Sequence, residues 1–304
     1  MEKDSGTAES SHIVGVTSGR STLDATPRVP PWARVLLTVA GMFLAVTLPV
    51  PLALIHPVST WLHSDHLFTY LAAKTLFCVL TLLSYLLIAH LLTRYVDRRP
   101  SLGAIGWRAR PLDLAHLTLA MLLTIAPMGA ALAWGHRMGW IPLNAVTDEG
   151  APLGALLVLA FLHAFVLQGI GEELLWRGYL LTSIQMAVVP AVLLNAFCFA
   201  LPHLTSQGGQ NSLTERFIYL LPPFGFAILA GALVIRTRSL WSAVGVHGGY
   251  HIGYALLAGI GLQHSPAFWV LSGLTIGAVG LVILLTLPAA VRHRPLRDLY
   301  VDHS

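Results

Sequence analysis

The sequence predicts an all-α, polytopic membrane protein of about eight transmembrane helices, and three observations carry that prediction. Hydrophobic residues make up 55% of the 304 and charged residues only 11%, where a soluble domain carries about 25% charged. Mean hydropathy is +0.70. Eight apolar runs approach the roughly 20 residues a helix needs to cross a bilayer. Two cysteines, Cys78 and Cys198, both sit in apolar runs, which gives no disulfide framework and no repeated cysteine pair for zinc.

Residues 1–31 are rich in Ser, Thr, Gly and Pro and contain no apolar run. Such a stretch buries too little apolar surface to fold and is expected to be a disordered cytosolic tail. The first apolar run begins too far in, and is too long, for a signal-peptide core, so it is expected to stay as a span. The helical membrane domain is expected over 32–291, with a short cytosolic tail at 292–304. Its runs are 35–55, 67–92, 114–134, one from 153 into a charged motif, 191 to about 205, 217–235, 240–262 and 268–287. No internal repeat of 20–50 residues interrupts this order.

Orientation follows from the basic residues. With eight spans, the tails and the even-numbered loops share one side. Of the 18 Lys and Arg, all but Lys74, Arg137 and Arg216 fall there or at a span end facing it. Both termini are therefore expected in the cytosol, in the plasma (inner) membrane. A net charge of +4 in such a chain reports orientation, and no nucleic-acid partner is expected.

The chemistry concentrates at the end of the fourth run, where 171–180 read Gly-Glu-Glu-Leu-Leu-Trp-Arg-Gly-Tyr-Leu. Each charge at bilayer depth costs roughly 2.5–3.5 kcal/mol on insertion scales. Residues four apart share a helix face, so Glu173 and Arg177 are expected to form a structural ion pair. Glu172 points elsewhere, toward a cavity, as an unpaired general base. Histidines supply the rest. His203 closes Phe-Ala-Leu-Pro-His, and His247 and His251 stand four apart in His-Gly-Gly-Tyr-His. Gly245, Gly248 and Gly249 leave that helix bare enough for a neighbour or a substrate backbone to approach.

Depth decides whether these groups meet. If the fourth span runs from about 153 to 182 and the fifth starts after Pro190, Glu172, His203, His247 and His251 lie about 15, 20, 10 and 16 Å from the cytosolic end at roughly 1.5 Å per residue. They then share one layer, around a cavity expected to open to the cytosol, toward Arg94 and Arg236.

The three motifs resemble those of the CPBP intramembrane proteases, which include the Ras-converting CAAX endoproteases and the Abi group of bacteriocin-processing or immunity proteins. Glu172-Glu173-Leu-Leu-Trp-Arg177, Phe199-Ala-Leu-Pro-His203 and the motif beginning at His247 follow the family's order and spacing over about 150–260. The family's Asn is His251 here. The resemblance implies an intramembrane endopeptidase, commonly called a metalloendopeptidase, acting on a membrane-associated protein or peptide. Glu172, helped by His203, would activate water, His247 and His251 would stabilise the oxyanion, and Glu173 and Arg177 would hold Glu172. A zinc ion held by the glutamate and the three histidines is equally consistent with these residue types. The alternative is a non-proteolytic protein for bacteriocin immunity or partner scaffolding. A transporter ranks below both, because the internal pseudo-symmetry common in transporters is missing.

Overall fold

The computed structural model describes residues 29–144, 152–206 and 208–296. The tails expected at 1–31 and 292–304 lie mostly outside them. Among the described residues the chain is helical without named strands. Eight long helical runs form the bundle: α1 (Pro31–Ala53), α2 (Leu67–Val96), α3 (Asp113–Arg137), α4 (Gly154–Ser183), α5 (Val188–Thr205), α6 (Leu213–Thr237), α7 (Leu240–Ala258) and α8 (Pro266–Leu285).

Seven of the eight are long and apolar enough to cross a membrane. The exception is α7, whose 19 residues carry His247, His251, Tyr250 and Tyr254 along with four glycines. Its polar groups face inward, with His247 at 2% exposure. The helix thus spans the interior of the bundle while failing an average-hydropathy criterion. By contrast, α6 is the central post, 72% buried against 28–44% for the other six. It packs along α8 and α5, and α7 packs along α3.

Glycines set these distances. A Cβ on Gly249 would lie 2.8 Å from the Met121 Cα, and one on Gly245 would overlap the Leu117 carbonyl on α3. A Cβ on Gly248 would overlap the Phe165 ring of α4. The bare face of α7 is therefore filled by the protein's own helices rather than left for a substrate backbone.

Two polar clamps hold the arginine-bearing end of the bundle. Asp97 pairs with Arg34 at 2.5 Å and accepts a 2.7 Å hydrogen bond from Ser183. Arg99 donates to the Thr182 hydroxyl and carbonyl, which ties the end of α4 to α2. On the other flank, Asp113 accepts hydrogen bonds from the Ser239 hydroxyl and the Arg110 backbone, joining the starts of α3 and α7. Several of the basic residues that argue for orientation thus also fasten helix ends.

Candidate active site in the membrane bundle

α4 is irregular where the motif lies. Its first turns are α-helical (Leu153–Phe161), then wide π turns run over Leu162–Gly169. A short α segment, Ile170–Glu173, carries both glutamates, and a second π segment follows over Leu174–Leu180. π turns recur at functional sites because they break the regular ladder and re-aim side chains. The Asn195 amide on α5 donates to the Trp176 carbonyl at 3.0 Å, which pins the second π segment to its neighbour.

The expected ion pair is present. Arg177 donates to Glu173 Oε1 at 3.0 Å, and both side chains are fully buried. The guanidinium also stacks over the Phe199 ring, 4.4 Å from its centroid. Glu173 does a second thing that spacing alone did not reveal. Its Oε1 accepts a 2.9 Å hydrogen bond from His247 Nδ1 on α7. The pair therefore orients a histidine 74 residues away as well as flanking Glu172.

Glu172, His203, His247 and His251 all line one cavity of about 650 Å³. Glu172 is 7% exposed. Among the described residues its carboxylate has neither a hydrogen bond nor an ion pair, unlike that of Glu173. His203 sits on the 3₁₀ turn Leu201–Thr205 that ends α5, and its Nδ1 donates to the Phe199 carbonyl at 3.1 Å. With Nδ1–H committed, a neutral His203 offers the lone pair of Nε2 to the cavity, and His247 does the same because its Nδ1–H goes to Glu173. The His251 ring stacks on His247, with centroids 5.1 Å apart and planes at 27°.

The direction of the cavity differs from the expectation. Besides these four residues it is lined by Thr205, Gly208, Tyr219, Tyr254 and Ala255, all at the bundle end opposite Arg94 and Arg236. Toward those arginines the space is closed by Trp176, Arg177, Tyr179, Leu180 and Leu181, each at 1% exposure or less. The reason is helix length. At 18 residues, α5 reaches only about 27 Å, so it gives out just past His203 and leaves that end open.

Residues 154–253 match the family described as type II CAAX prenyl endopeptidase, Rce1-like. Over that segment, about a third of the chain, the match supports a likeness to the CPBP, CAAX-protease family. The match covers both glutamates, Arg177, His203, His247 and His251, and it supports a peptidase of the membrane-embedded kind. No curated protein matches the chain.

A metal centre was the other arrangement open to these residues. Among the described residues, no three His, Cys, Asp or Glu side chains converge closely enough to hold an ion. The four groups share a wall but do not present their donor atoms to one point, so the zinc set does not fit and no catalytic step is derived through it.

Three lining residues were missed by motif reasoning. His163 on α4 meets the His251 ring edge-on, with centroids 4.8 Å apart. Tyr85 on α2 is fully buried with an unpartnered hydroxyl, and its ring lies against Gly171, where a Cβ would overlap it. Gln168 lies four residues before Glu172 and lines the same cavity. His163 and Gln168 left one trace in the sequence, as polar side chains in the apolar run that leads to Glu172.

Proposed function

We propose that this chain is an intramembrane endopeptidase that hydrolyses a peptide bond in a membrane-associated protein or peptide, using water activated by Glu172. One observation carries the reading. Glu172 is a buried carboxylate without a hydrogen-bonding partner among the described residues, and it faces a 650 Å³ cavity shared with three histidines. Keeping such a group desolvated and unpaired is costly, and a general base next to a substrate-sized space gives that cost a purpose.

In this reading Glu172 takes a proton from water while the water oxygen bonds to the scissile carbonyl carbon. The Nε2 lone pair of His203 accepts the second water hydrogen and fixes the attack direction. The carbonyl oxygen becomes an oxyanion, for which His251 supplies an N–H. Collapse breaks the C–N bond, and the proton held by Glu172 passes to the leaving amine. Glu173 and Arg177 act indirectly, by holding Glu172 and His247.

The distribution of basic residues argues for cytosolic termini. The cavity then opens on the non-cytosolic side, so substrate enters from the outer leaflet or the space beyond it. The test works without first identifying a substrate. New protein N-termini are catalogued by mass spectrometry in cells producing wild type or Glu172→Gln. N-termini that appear with wild type and vanish with Glu172→Gln are expected; identical catalogues would overturn the reading, and would leave immunity or scaffolding without catalysis.

A further inference from the structure

We propose that Gln168 is a catalytic residue, whose side-chain amide donates a hydrogen bond to the oxyanion formed in the cavity. The proposal rests on the peptidase reading above and deepens it.

It starts from a shortage of donors. Tetrahedral intermediates need N–H or O–H groups aimed at the developing charge. His203 and His247 each spend their Nδ1–H inside the protein, on Phe199 and Glu173. In their neutral forms both turn a lone pair to the cavity and cannot donate. His251 makes no hydrogen bond among the described residues, so its N–H stays free to donate. The layer therefore offers one donor, the N–H of His251, against several acceptors, and a second donor is wanting.

Gln168 supplies what is missing. It lies in the π segment Leu162–Gly169 of α4 and lines the cavity together with Glu172. Its Oε1 is buried without a partner, and none of its amide hydrogens is engaged elsewhere among the described residues. With the oxygen buried, the NH₂ group is the end of this cavity-lining side chain left free to reach a substrate. A leucine or methionine would fill the same space without burying an unmatched oxygen.

The spacing also suits the reaction. Side chains one helical turn apart are about 5–6 Å apart at Cβ. From there, two long side chains can reach the two ends of one scissile carbonyl. Base and donor on one turn of one helix would thus bracket the scissile carbonyl, with Glu172 at the water and Gln168 at the oxygen.

The test uses the full-length protein and the Glu172-dependent N-termini as the readout. Gln168→Met and Gln168→Glu should each slow their appearance about 10²–10³-fold, the usual effect of losing one oxyanion donor, without lowering the melting temperature in detergent. Adding His251→Ala to Gln168→Met should lower the rate further, because it removes the other donor. Rates near wild type for Gln168→Met would overturn the proposal alone. So would a lowered melting temperature that accounts for the loss, or a Gln168→Glu protein that stays active. If no Glu172-dependent N-termini exist at all, the peptidase reading fails first and this one with it.

Discussion

Replacing Arg177 with alanine removes the cation from a pair in which neither side chain is exposed. Glu173 would remain fully buried, with only the hydrogen bond from His247 Nδ1 to offset its charge. Breaking one side of a buried pair costs roughly 3–5 kcal/mol. The lost stacking of the guanidinium on Phe199 belongs to the same truncation. Against a total stability of about 5–15 kcal/mol, this is a fifth or more of what holds the fold. Glu173→Gln/Arg177→Met should behave differently. It removes both charges, keeps the volume and leaves an amide oxygen for His247. Replacing a buried pair by uncharged groups of similar volume is often neutral or stabilising by about 1–4 kcal/mol. Accumulation in membranes and thermal unfolding in detergent measure both. The expected order is wild type, then the double variant close to it, then Arg177→Ala far below. The reasoning is refuted if Arg177→Ala melts with wild type, or if the double variant is as weak as the single one.

Other outcomes follow from the same geometry. Reporter fusions at Ala104 should read as cytosolic and at Gly209 as external; the opposite result would reverse the membrane sidedness and turn the cavity to the cytosol. His251→Asn should retain cleavage, since the amide also donates. A loss of about 10²–10³, the size expected for a missing donor, would show that the imidazole itself is needed.

Much of the site was legible because helical periodicity is local. Glu173 and Arg177 are four apart, so their pairing follows from backbone geometry alone. The shared depth of Glu172, His203 and His247 followed from counting residues along apolar runs, once the fourth run was allowed to continue past its charges to Ser183. The three motifs pointed to the family because they combine order and spacing in three different spans.

What the sequence determined by itself was the helical membrane architecture, the membership of the layer and the ion pair. What only the tertiary structure decided was the bond between Glu173 and His247, which joins α4 to α7 across 74 residues. The side on which the cavity opens was also beyond the sequence. That side depends on which end of the bundle is filled, and Trp176, Tyr179 and Leu180 fill the arginine end because α1, α2 and α5 converge there. Tyr85, His163 and Gln168 were hidden for the same reason. Each carries no motif of its own and becomes part of the site only when π turns, a short α5 and close glycine contacts bring its helix to the cavity wall. Period and hydropathy report which face of a helix is apolar; they carry no information about which neighbour that face will meet.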